Sequence, residues 1–296
     1  MFKKIILATS LFAFSLFALY LFGVYQNNRD VAHPQSAQLE LQHEASIKWL
    51  LANEEEMFLQ VNPMLWWMLY ESNKILPDSR ISTMLEQYYS KYQQVVNGPW
   101  GPLFGAQKRS YLAAYAVEGL PYYNQHFLYS LNCAQGLADD IDVVAQQNEA
   151  SFCHQMHYIY RPACITHQLM GINFLHKKQC GTLSTIDEVT QSLQSDIELQ
   201  LTWDIRVVDV YLQRVMMLLI TGAESHVKPV WIQQVLDHQL EDGGWGDFAS
   251  LSGRGSGRSI GFSSRIISLG EEKSSFHATA QGVYILSYLL SESSKS

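Results

Sequence analysis

Charge is scarce in this chain. Of its 296 residues, 16% are Asp, Glu, Lys or Arg while 47% are apolar; basic residues are the rarer sign, 20 against 28 acidic, for a formal net charge of −8. Nothing supplies the basic face by which nucleic acid or an anionic membrane surface selects a protein, so neither is expected as a partner held by charge. Strand signals are missing as well, since no convincing run alternates polar and apolar residues between turn formers. Cysteine occurs only 4 times, and no Gly-rich segment carries the lysine and spacing of a phosphate-binding P-loop. What remains is the composition of a folded chain, long enough to bury a full core in one large domain.

The first segment stands apart. Lys3 and Lys4 precede an uncharged apolar run from Ile5 to Tyr25, which as a helix spans roughly 30 Å, the thickness of a bilayer core. The run ends Leu21-Phe22-Gly23-Val24-Tyr25 and lacks the small-residue arrangement of a cleavage site, so residues 1–26 are expected to be an uncleaved signal anchor. Lysines before the run place the N-terminus in the cytoplasm and the rest outside, in the periplasm if the cell is Gram-negative. Residues 27–38 contain Pro34, amides and no apolar period, and are expected to be a short tether to a domain over 39–296.

Two stretches repeat. The later reads Val235-x3-Gln239-x3-Gly243-Gly244-Trp245-Gly246 and, after a Gly/Ser/Arg-rich insert, Phe276-His277-Ala278-Thr279 opening an apolar helix. The earlier reads Tyr89-x4-Gln94-x3-Gly98-Pro99-Trp100-Gly101, followed by Tyr111-Leu112-Ala113-Ala114. A glutamine four residues before a glycine and six before a tryptophan can close a corner between helices, its amide bonded to backbone while the indole covers the turn. The spacing resembles the QW motif of the terpenoid cyclase and protein prenyltransferase α/α-toroid superfamily. That resemblance implies an all-α fold, an α/α toroid built as a double ring of helical hairpins, with a His or Thr at the start of the following inner helix.

Helical periods fill the rest. Leu41, Ala45, Trp49, Ala52 and Leu59 recur near helical spacing, Met64 to Tyr70 is apolar on every side, and Asp78-Ser79 caps a helix from Arg80. Thr185-x2-Glu188 reads as a capping box. Leu199 to Ile220 is apolar nearly all round and is expected to be an inner helix, so its charged residues need partners. Arg206 and Asp209, three apart, can pair along it. Either these groups form an internal ion network, or Asp204, Arg206 and Tyr211 face a central cavity and hold a substrate, with Trp245 nearby. Asn124, His126 and Tyr129 are loosely similar to the Asn/His/Tyr sets of α/α-toroid polysaccharide lyases, and an aromatic core stripe explains the same letters. Asp139-Asp140-Ile141-Asp142 is not the acid motif of type II terpene cyclases and reads as an acidic helix start.

The densest chemistry lies between Cys153 and His167. His154 and His157 share a helical face, as do Cys164 and His167 beyond Pro162, so two helical ends could offer four N/S ligands to zinc. The same residues are also explained by core histidines and disulfides among Cys133, Cys153, Cys164 and Cys180, which an exported domain permits. The zinc site of the protein prenyltransferases is not intact: His277 matches its histidine by position, but no Asp-x-Cys stands upstream. Because inner-helix starts converge in a toroid, His277, Asp204 and His167 are the candidate catalytic set, histidine as base or ligand and Asp204 as its orienting carboxylate. The insert from Leu251 to Leu269 reads as a mobile excursion that could fold over the cavity mouth and offer arginines to an anionic substrate. An exported enzyme acting on an envelope glycan or lipid is one expectation. A binding module, as in the complement thioester-domain toroids, or an envelope assembly protein is the other.

Overall fold

The computed structural model describes residues 2–105, 119–137, 141–153, 161–180, 185–252, 257–265 and 267–294. Helix α1, Phe2–Gln26, is long and apolar enough to cross a membrane. Helices α2 (Ser36–Ala52) and α3 (Glu54–Met57) follow, then α4 (Pro63–Ile75), whose start is fixed by the Asn62 side chain accepting from the Met64 amide at 3.1 Å with proline in the first turn. Asp78 caps α5 (Ser79–Lys91) in the same way at 2.8 Å. Helix α6 (Gln93–Val96) and a short 3-10 turn lead to α7 (Tyr122–Asn132) and α8 (Ile141–Gln146). Helices α9 (Cys164–Lys178), α10 (Ile186–Trp203), α11 (Asp209–Ile220) and α12 (Pro229–Asp237) complete the middle, and α13 (Phe276–Ser293), capped by Ser275, closes the chain.

Helices alternate between enclosed and covering. α4, α9, α11 and α13 are buried on most of their faces, whereas α2, α5, α10 and α12 bury one side. The last helix returns to the first ones: α13 packs on α2 and α4 as well as on α11, while α9 packs on α7, α10 and α11. A buried polar relay ties this closure, with His43 Nε2 2.9 Å from Ser287 Oγ and Ser72 Oγ 2.7 Å from the same oxygen. Tryptophans Trp66, Trp231 and Trp245 are fully buried, and burying one aromatic ring of this size stabilises by roughly 3 kcal/mol.

The second corner forms as its spacing predicts. Gln239 Nε2 donates to the carbonyls of Gln42 and Gly243, both at 2.8 Å, and Trp245 Nε1 donates to Val235 at 2.7 Å. Gly243 has φ 97°, and a Cβ there would lie 2.4 Å from the Ala45 carbonyl oxygen, so only glycine fits. Thr279 Oγ1 accepts from the Trp245 amide, joining the corner to α13. The first corner is not a copy in this respect: Trp100 is buried, but Gln94 is exposed and clasps nothing among the described residues. Residues 111–114, its expected continuation, lie outside the described residues, as do Asp139 and Asp140.

Several expectations are corrected. The described residues are mostly helical but not all-α, because the Gly/Ser/Arg insert folds as a three-stranded antiparallel sheet, β1 (Phe248–Ser250), β2 (Ser259–Ser263) and β3 (Ile267–Gly270), with Phe248 opposite Ser263 and Ser259 opposite Gly270. Its short strands lack the alternation that would reveal them in sequence. Leu199 to Ile220 is two helices, broken at residues 204–208. Asp204 caps the C-terminus of α10, and Arg206 pairs with it at 2.6 Å rather than with Asp209. Leu41 and Leu59 are exposed; of the expected stripe Trp49 is buried, and α2 buries Leu39, His43, Ile47 and Leu50 beside it. Thr185 stands at the start of α10 but its side chain makes no capping bond.

Two disulfides, Cys133–Cys180 and Cys153–Cys164, use all four cysteines. They point to an oxidising, extracytoplasmic compartment for the domain. Loop-closure entropy for separations of 47 and 11 residues gives stabilisations of roughly 4 and 3 kcal/mol.

Candidate functional site

Four enclosed helices open onto one cavity of about 270 Å³. Each presents two lining groups about one turn apart or a single group at its start: Met64 and Met68 on α4, His167 and Met170 on α9, Gln213 and Met216 on α11, and His277 in the first turn of α13. α7 adds Tyr123, Asn124 and Phe127 to the wall. Thioethers line much of the cavity because an unbranched, polarisable side chain fills irregular space between helices. His167 lies flat on Tyr123, ring centroids 4.1 Å apart and 14° from parallel, and this stacking fixes its plane. Thr166 Oγ1 donates to Gln213 Oε1 at 2.9 Å, which orients the glutamine amide.

Both imidazoles are neutral at pH 7. Burial pushes His167 down to about 3, with the proximity of His277 acting in the same direction. His277 is lowered by burial, opposed by the carboxylates of Asp209 and Asp247. Gln281 Nε2 lies 3.3 Å from His277 Nδ1, while Gln281 Oε1 is buried without a partner. The two orientations of that amide decide which ring nitrogen carries the proton: an amide oxygen facing Nδ1 would accept from Nδ1–H and leave Nε2 as the base, while the NH2 facing it leaves the proton on Nε2.

A second cavity of about 510 Å³ adjoins the first and shares His167 and Tyr123 with it. Its lining carries two exposed cations, Arg161 and Arg265, with Asp209, Ser264, Pro162 and Cys164. Arg265 stands between β2 and β3, so the insert does reach the cavity mouth. It is tied down there: Ser264 donates to Asp209, and Arg206 Nη1 donates to the Ser264 carbonyl at 3.1 Å.

The expected site residues divide. His167 and His277, 110 positions apart in the numbering, meet in one cavity. Asp204 does not join them. Both its oxygens are taken, by Arg206 and by the fully buried Arg214 at 2.8 Å, and Arg214 also bonds Gln200. The internal ion network is therefore what the sequence there encodes, and the carboxylates whose charge acts on His277 are Asp209 and Asp247. Tyr211 is fully buried, its hydroxyl donating to Asn27 Oδ1 at 2.8 Å, and Trp245 belongs to the corner. Cys164 lines the mouth but its sulfur is bonded to Cys153, so it is no thiolate ligand. His154 and His157 lie outside the described residues. His126 is a core residue bonded to Asn148.

The chain matches no family model, no curated protein and no solved structure. Its chemistry is therefore read from its own geometry. Among the described residues no group of three His, Cys, Asp or Glu side chains is arranged to hold a metal ion. Gln213 and Arg161 were not among the expected site residues, and Asp209 was expected only as a partner of Arg206, although Asp209 is separated from Gln213 by one helical turn, a spacing that would have placed both on one edge of α11.

Proposed function

We propose that this chain is an exported, membrane-anchored protein of the α/α-toroid type, whose cavity binds and transforms an anionic glycan or lipid of the cell envelope. The alternation of enclosed and covering helices and the return of α13 onto α2 and α4 support the ring. The contacts of Tyr20 with Trp203 and of Gly23 with Ile205 support an uncleaved anchor, since cleavage near residue 26 would remove both from the domain they pack on. With the lysines before the run and both disulfides beyond it, the domain is extracytoplasmic, periplasmic in a Gram-negative cell.

The observation that carries the functional reading is that His167 belongs to two adjoining cavities, one closed by His277 and one bordered by Arg161 and Arg265. The arginines would take the anionic group of the substrate and the methionine-lined cavity its uncharged part. His277 is the better base of the pair, because Asp209 and Asp247 support its protonated form, whereas His167 at about 3 serves as a neutral hydrogen-bonding wall. A zinc-assisted version would draw on His154, His157 and His167 without Cys164. Metal analysis of the purified full chain decides between the two.

A non-catalytic binding module is the second reading, favoured by one feature: the orienting hydrogen bond on His277 comes from an amide, Gln281, and not from a carboxylate. Binding of a phosphatidylglycerol vesicle and of a uronic-acid oligosaccharide, compared between wild type, His167→Ala and His277→Ala, tests the site. The expected result is an intact fold with ligand lost in both variants, and turnover lost in His277→Ala if the protein is an enzyme. Unfolding of both variants by several kcal/mol, with no change in binding or turnover beyond it, would make them core histidines.

A further inference from the structure

The C-terminal turn of α10 is capped by the anchor helix. A helix leaves its last carbonyls without partners inside the helix. Here three successive ones are satisfied from α1 and the residues just after it: Leu201 by Asn27 Nδ2, Thr202 by Asn28 Nδ2 at 2.8 Å and Trp203 by Tyr20 Oη at 3.0 Å. Gly23 packs directly on Ile205: a Cβ would come 2.9 Å from Ile205 Cδ1, so a larger residue would have to displace that side chain. Tyr211 and Trp231 hold Asn27 from the other side. The end of α1 is thus built into the corner between α10 and α11.

This contact fixes a height. A hydrocarbon core takes roughly 20 helical residues to cross, and counted from Ile5 the span ends at Val24. Tyr20 lies one turn, about 6 Å, inside that boundary. Asn28 lies one turn outside it, so the corner that accepts from Tyr20 at Trp203 and from Asn28 at Thr202 straddles the boundary. Trp203 has 43% of its surface exposed, and Leu199, one turn back on α10, is exposed by 39%. An exposed indole and a leucine beside a spanning helix match the composition of an interfacial belt. The match is apolar and aromatic, and needs no basic face.

We propose that the corner from Leu199 to Ile205 is seated in the outer headgroup layer of the membrane that α1 crosses, with Trp203 at the acyl boundary, so that the domain is held in one orientation. The proposal rests on the reading that α1 spans the bilayer, and not on what the cavity binds. Its consequence for the site is geometric. Arg206, three residues beyond Trp203, bonds Ser264 at the cavity mouth, so the mouth is held close to the lipid surface.

Tryptophan fluorescence isolates the contact, because Trp203 is the exposed one of 7 tryptophans and no other is more than 7% exposed. The full chain is reconstituted in phosphatidylcholine–phosphatidylglycerol vesicles whose acyl chains are brominated near the headgroup or near the methyl end. Shallow bromines are expected to quench wild type more than deep ones, and Trp203→Phe, a change on an exposed surface, should remove that quenching. Alkaline extraction of the same vesicles reports separately on the anchor. If the chain stays in the membrane but Trp203→Phe leaves the shallow quenching unchanged, the seating is wrong while the anchor stands. If the chain is extracted, the spanning reading fails and the seating fails with it.

Discussion

Replacing Gln239 by alanine measures what the second corner is worth. The wild-type amide makes two bonds at 2.8 Å, to Gln42 on α2 and to Gly243 in the turn, and the side chain is 9% exposed. Each bond contributes about 1 kcal/mol net, and the carbonyls left behind can recover only part of their partners from water. The expected loss is therefore roughly 2–3 kcal/mol. For a domain of this size that corresponds to a fall in Tm of about 5–10 °C. The control is Gln94→Ala at the first corner, where the glutamine is exposed and unclasped, with an expected change within about 0.5 kcal/mol. Denaturant titration of both variants in detergent, followed by far-UV circular dichroism and tryptophan fluorescence, gives the two numbers. Equal losses at the two corners would refute the assignment of the clasp to Gln239 alone. A loss below 0.5 kcal/mol at Gln239 would refute the energetic reasoning altogether.

Asp204→Asn should destabilise by about 3–5 kcal/mol, since it removes the charge that compensates the fully buried Arg214; if the variant stays folded and loses only ligand, Asp204 holds substrate. The pH dependence is set by buried histidines. His126 falls from 6.5 to about 4 in the fold, so between these values the unfolded chain binds the extra proton. Its contribution is then complete above pH 6.5 and lost as the pH drops toward 4, up to about 3 kcal/mol. Urea midpoints measured across that window should fall with acid in wild type and fall less steeply in His126→Gln. Parallel slopes would remove His126 from the account.

What the sequence determined by itself was local. The Asn62 and Asp78 caps, the apolar run of α1 and the Gln239–Gly243–Trp245 corner each depend on residues close along the chain, so their spacing carries their structure. The convergence of His167 and His277 was also legible, because both stand near the starts of helices apolar enough to be enclosed. Gln94 marks the limit of this reasoning: its motif matches, yet its side chain is exposed and clasps nothing among the described residues. The fate of Asp204 required the fold, for a carboxylate is satisfied by whichever cation packing brings to it. A break at residues 204–208 turned Arg206 and Arg214 onto it and left the charge of Asp209 to act on His277. The insert became a sheet through pairings between residues of weak strand character, and Cys164 ceased to be a ligand because Cys153 lay within bonding distance. Only the tertiary structure decided that Asn27 and Asn28, at the head of the expected tether, bind the end of α10, since the carbonyls they donate to lie 174 positions away. Long-range partners of polar groups are chosen by geometry, and geometry at that range is a property of the packed chain and not of any local stretch.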